Sequence, residues 1–104
     1  MTLQQLHQAV LNDRINITAH AQQEAANDSL SLADVFVSLA NGQIIESYPT
    51  DRPYPSALVL GFTADGNPVH SVWAYDAVKQ IAVLVTVYRP DPDRWESWSI
   101  RSPR

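Results

Sequence analysis

Few side chains in this sequence can move a proton near neutral pH or hold an anion. The histidines are His7, His20 and His70. Imidazole titrates in the range where general acid–base work is done. Tyr88-Arg89 sets a phenolic donor beside a permanent cation, and Arg94 and Arg101 follow closely. Together they offer proton transfer plus stabilisation of a negative charge. His7 falls on the apolar face of a helical pattern and reads as core edge. No two histidines have the i, i+4 spacing of helical metal ligands, and no acidic cluster accompanies one, so no metal or other cofactor is expected. Only three glycines occur, too few to suggest a phosphate-cradling loop.

The elements that must position these residues centre on Ala57 to Trp95. Ala57–Phe62 is almost wholly apolar, Asp65-Gly66 supplies a hairpin turn, and Val69–Tyr75 mixes aromatic and β-branched residues. In Ile81–Tyr88, Val83, Val85 and Val87 alternate at period two. This is an antiparallel meander. If Tyr75 pairs with Ile81 across loop 76–80, His70 faces Thr86, and Tyr88 lies diagonal to it on the same side. A one-residue slip would separate them.

Upstream the pattern is helical. Thr2 caps a helix over 2–13, Thr18 caps one over 19–27, and Ser31 opens one over 32–41 with a capping box to Asp34. The third carries an apolar stripe of Leu32, Val35, Phe36 and Leu39, and Asn41-Gly42 ends it. Arg14–Ile17 is a short extended piece. Strands are predicted over 43–48, 57–63, 68–75 and 81–88, with 94–101 as a fifth. Pro49–Pro55 and Pro90–Asp93 read as ordered loops. The expected fold is one α+β domain over 1–104, with N-terminal helices on one face of an antiparallel sheet of four or five strands.

Composition narrows the function. The chain is ordinary for a globular domain, with 45% hydrophobic and 17% charged residues. No apolar run reaches the roughly 18–20 residues of a membrane span. The N-terminus lacks a signal-peptide pattern and there is no cysteine, so a cytoplasmic location is expected. The formal net charge of −4 weighs against a nucleic-acid binder. Against that, five of the seven cations, Lys79, Arg89, Arg94, Arg101 and Arg104, sit late in the chain and allow a local basic patch.

A longer pattern is also present. It runs through Ile17-Thr18-Ala19-His20-Ala21, Leu30–Val35 and Asn41–Pro49, then Pro55–Gly61, Pro68-Val69-His70 and Thr86–Trp95. Over roughly residues 15–101 these segments resemble a family of small bacterial proteins, the domain of unknown function family 4258. That family looks distantly related to the RelE, MqsR and BrnT toxins, several of which cleave messenger RNA. The resemblance implies a RelE-like α+β fold, a toxin–antitoxin setting and a metal-free endoribonuclease lineage.

Metal-free RNA cleavage needs a base for the 2′-hydroxyl, a cation for the phosphate and an acid for the leaving oxygen. On that reading His20 or His70 serves as base or acid, Tyr88 as donor or stacking surface, and Arg89 or Arg101 as clamp, with Arg94 nearby. Where the family carries two cations, this chain has Glu24 and Asp28, so cleavage is expected to be weak or lost. Each residue also has a plainer reading. His70 bonds a neighbouring hydroxyl, His20 braces helix to sheet, Arg89 and Arg94 pair with Asp91, Asp93 or Glu96, and Trp73, Trp95 and Trp98 close a small core.

Two functions therefore compete. One is a toxin-related protein with a ribonuclease-like fold. The other is a non-catalytic interaction module that uses its sheet face or edge. The partners in view are an antitoxin protein, weakly bound single-stranded RNA and a second copy in a homodimer, with no membrane among them.

Overall fold

The computed structural model describes residues 1–103; Arg104, the last of the late cations, lies outside them. The chain runs α1 (Leu3–Leu11), β1 (Ile15–Ile17), α2 (Ala19–Asn27), α3 (Leu32–Ala40), β2 (Gln43–Tyr48), β3 (Ser56–Phe62), β4 (Pro68–Asp76), β5 (Ile81–Tyr88), β6 (Trp95–Glu96) and β7 (Ile100–Arg101). No helix among the described residues is long and apolar enough to cross a membrane.

Each helix starts where a side-chain oxygen replaces a missing carbonyl partner. The hydroxyls of Thr2, Thr18 and Ser31 accept from the N–H groups of Gln5, Ala21 and Asp34, with capping boxes at the first and third. α1 and α2 end on left-handed residues, Asp13 (φ 56°) and Ser29 (φ 55°). After α1, Arg14 and Asp13 donate to the carbonyls of Ala9 and Val10. After α2, Leu30 and Ser29 donate to those of Ala25 and Ala26. Both ends are Schellman motifs built without glycine.

The five-stranded sheet has the order β1-β5-β4-β3-β2. It is mixed rather than wholly antiparallel, because β1 lies parallel to β5 at one edge. The extended piece before α2 is thus a strand. Ala82 and Thr18 extend its ladder by donating to the carbonyls of Arg14 and Leu84, while Ile15 and Ile17 pack on the core. The predicted fifth strand near the C-terminus instead folds as a separate two-stranded ribbon, β6 with β7. It lies against the sheet rather than at its edge, with Trp95 on His70 of β4 and Arg101 on Glu46 of β2.

One face of the sheet carries the core. Leu6 and Ala9 of α1, Ala21 and Ala25 of α2, and Val35 and Leu39 of α3 meet Val59, Val69, Trp73, Ala82, Leu84 and Val87. The third helix buries Val35, Ser38 and Leu39, leaves Phe36 half-buried and turns Leu32 outward. Ser38 replaces Leu32 in the contact because the backbone comes very close to β3 there. A Cβ on Gly61 would sit 1.7 Å from the Ser38 carbonyl oxygen.

The register between β4 and β5 differs from the expected one. Tyr75 pairs with Ala82 and His70 with Tyr88, so Thr86 faces Val72 and not His70. A bulge causes part of the shift. Trp73 pairs with Leu84 but Val72 with Thr86, leaving Val85 unpaired. Thr18, the N-cap of α2, sits at this bulge, its hydroxyl 3.0 Å from the Leu84 carbonyl and 3.1 Å from that of Val85.

Candidate functional site

Strand alternation sends His70 to the face opposite Val69 and the helices. Leu60 flanks it on β3 and Tyr88 on β5. This outer face would be open, but residues 90–103 fold back across it and leave His70 with no exposed surface. The Nε2 of His70 lies 2.6 Å from the Trp98 carbonyl oxygen. A carbonyl can only accept, so Nε2 carries the proton and Nδ1 of the neutral ring accepts from the Tyr88 hydroxyl at 3.1 Å. Trp95 packs edge-on to the imidazole with centroids 4.4 Å apart, and Tyr88 does so at 5.2 Å.

Arg101 closes the cluster from β7. Its guanidinium grips Glu46 of β2 with two bonds, Nε to Oε2 at 2.8 Å and Nη2 to Oε1 at 2.9 Å. It also lies over the Trp95 ring, 4.7 Å from the centroid. The Tyr48 hydroxyl, two residues along β2, donates to the same carboxylate.

The electrostatics follow from burial and pairing. Burial lowers the His70 pKa, partly offset by the Trp98 carbonyl and the Glu46 charge, while Arg101 lowers it further. The Arg101 hydrogen bonds hold the Glu46 carboxyl below its ordinary range. Burial raises the Tyr88 phenol. His70 is therefore held neutral, and Arg101 is committed to Glu46.

The other expected site residues lie elsewhere. His20 is exposed on α2, the helix whose Ala21 and Ala25 enter the core on the far side of the sheet. Arg89 points to the end of that same helix. Its Nε donates to the Asp28 carbonyl at 2.8 Å and its Nη2 to the Ser29 carbonyl at 3.3 Å. A cation at a helix C-terminus is favourable to the dipole and to unpaired carbonyls. Arg94 is exposed and only 3.9 Å from Asp91, a contact of little energetic weight.

The structure thus groups His70, Tyr88 and Arg101, and separates His20, Arg89 and Arg94 from them. Trp73 is buried and donates Nε1 to Ser71 Oγ at 2.9 Å, so it belongs to the core. His7 bonds the Leu39 carbonyl at 2.8 Å and ties α1 to α3. Sequence reasoning missed Glu46 and Tyr48. Their period-two spacing on β2 was the available signal, but nothing local showed that Arg101 would return to them. Among the described residues, no three His, Asp or Glu side chains gather where they could share a metal ion.

In this arrangement His70 holds the C-terminal segment through the Trp98 carbonyl. Both ring nitrogens are occupied by protein groups and no surface is open to an incoming atom. A family model described as a domain of unknown function (DUF4258) matches residues 17–89. No match was found among curated proteins or among solved structures.

Proposed function

This chain belongs to the family DUF4258, whose model spans residues 17–89, and on that premise we propose that it is a non-catalytic protein-interaction module. In this reading it keeps the architecture of a toxin-related lineage, with RNA cleavage weak or lost. It works in the cytoplasm on a protein partner, an antitoxin-like chain being the one the RelE resemblance implies.

The observation that carries the reading is the state of His70. A general base must reach the proton it removes, within hydrogen-bond distance or through one water. His70 is fully buried, donates to Trp98 and accepts from Tyr88. The nearest cation, Arg101, is neutralised by a bidentate carboxylate. A phosphate transition state gains an extra negative charge, and this pair offers it no net positive field. The formal net charge of −4 adds a general repulsion.

The test compares wild type with His70→Gln, both as purified protein with single-stranded RNA and on expression in a host that carries no antitoxin-like partner. The expected result is no RNA cleavage above background and equal growth. Cleavage or growth arrest by the wild type, lost in His70→Gln, would overturn the reading and restore the endoribonuclease.

A further inference from the structure

We propose that residues 90–103 form a displaceable strap, and that the outer sheet face beneath it is a docking surface for a partner-protein segment carrying an aromatic side chain and a cation. The proposal rests on the partner-binding reading and names its surface.

Among the described bonds, every tie between the strap and the sheet uses a side chain on at least one side. The strap's backbone bonds are internal: Arg94 donates to Asp91, Ser99 to Glu96 and Ser102 to Arg94, and β6 pairs only with β7. None of the described backbone bonds joins it to the five-stranded sheet. What holds it is the His70–Trp98 bond, the packing of Trp95 on His70, and the Arg101–Glu46 pair. Segments with so few backbone ties open at low free energy while the rest stays folded. The pivot is fixed, because Arg89 is pinned to Asp28 immediately before Pro90.

The strap also carries strain. Ser97 (φ 49°) and Trp98 (φ 67°) are consecutive non-glycine residues in the left-handed region, where a bulky side chain is rarely found. The Trp98 carbonyl, presented by that turn, is the one bonded to His70. The strap lies beyond the matched residues 17–89, whereas His70, Tyr88, Glu46 and Tyr48 lie within them.

The chemistry of the occupant can be read from the face. It offers an N–H donor at His70, aromatic edges at His70 and Tyr88, and a carboxylate at Glu46. The strap answers with the Trp98 carbonyl, the Trp95 ring and the Arg101 guanidinium. A foreign segment with a carbonyl, an aromatic ring and a cation at matching positions satisfies the same groups. The acidic total favours a cationic visitor.

Hydrogen exchange on the wild type tests displacement directly. The amides of Arg94, Ser99 and Ser102 should exchange at least about 10-fold faster than the paired amides of β4 and β5. A labelled synthetic peptide with the sequence of residues 90–103 serves as the docking probe. It should bind the Trp95→Ala/Arg101→Ala chain at least about 10-fold more tightly than wild type, whose own strap competes. Replacing the tryptophans and arginines of the peptide by alanine should abolish that binding. Strap amides that exchange only at the global unfolding rate would overturn the proposal. So would a variant that keeps its sheet protection yet binds the peptide no better than wild type. If the variant fails to fold, exchange on the wild type decides. A wild-type dimer dissolved by Arg101→Ala would assign the face to a second copy and overturn the foreign partner. RNA cleavage by the wild type would defeat the partner-binding reading while leaving the exchange and peptide results intact.

Discussion

Asp28 and Arg89 are joined twice, each side chain bonding the other's main chain. The Asp28 carboxylate accepts the Arg89 N–H at 2.7 Å, and Arg89 Nε donates to the Asp28 carbonyl at 2.8 Å. The sequence reading set these residues against each other, one as an anion that repels phosphate and the other as its clamp. They prove to be partners that fasten the end of α2 to the end of β5.

Each side chain bonds the other's backbone, so the two residues form one hydrogen-bonded contact. Asp28→Ala and Arg89→Ala should each cost about 1 kcal/mol, as exposed caps do. Residues in direct contact couple, so the double variant should fall short of the sum by about 0.5 kcal/mol or more. Urea denaturation of the four proteins measures this, and strict additivity would show that the two bonds act independently.

Gly61 and Gly66 should respond differently to alanine. At Gly61 a Cβ meets the Ser38 backbone at 1.7 Å, and a helix cannot yield as a flexible side chain would. Gly61→Ala should therefore cost about 3 kcal/mol or more. Gly66 has open space but a φ of +83°, so Gly66→Ala should cost about 1–2 kcal/mol, from backbone strain alone.

Core placement gives a graded series on α3. Leu39, 1% exposed, should lose about 2–5 kcal/mol on truncation to alanine. Leu32, 41% exposed, should lose no more than about 0.5 kcal/mol. Equal losses at the two positions would mean that the helix is rotated from the face described above.

Stability should fall in acid in two steps. Burial lowers the His70 pKa in the folded chain below its ordinary 6.5, so the unfolded chain binds the proton first. The stabilising contribution is complete above about 6.5, is lost as pH falls through the lower folded value, and then levels off. Glu46 is likewise lowered, by Arg101, and its contribution disappears as pH falls below 4.5 through its folded value. Urea midpoints across pH 8 to 2, followed by tryptophan fluorescence, should show both steps. His70→Gln should remove the first and leave the second.

The local parts of this fold were legible in the sequence. Thr2, Thr18 and Ser31 announce three helix starts, and Gly66 with its flanking apolar runs announces a hairpin, because these signals act within a few residues. What escaped was long-range. Ile15–Ile17 becomes a strand only because β5, far along the chain, offers it an edge. The pairing of His70 with Tyr88 depended on loop and bulge lengths that composition does not encode. Period two in Val83, Val85 and Val87 implied one face, yet Val87 enters the core while Val85 stays partly exposed. At the candidate site, His70, Tyr88 and Arg101 were identified by residue type. Glu46, which decides what Arg101 can do, was not.

That departure has a consequence for changes of length. β5 carries one residue more than its partner needs, and the surplus lies at Val85–Thr86. A chain shortened there by one residue would close its ladder without interruption and keep Leu84 and Val87 inward and Tyr88 outward. The inside–outside phase of the strand would survive the deletion. The carbonyls at the kink, however, would turn into the ladder and away from Thr18, whose hydroxyl they now receive while it starts α2. The extra residue is therefore a mortise for a helix, and the damage from losing it would appear across the sheet, at the first turn of α2.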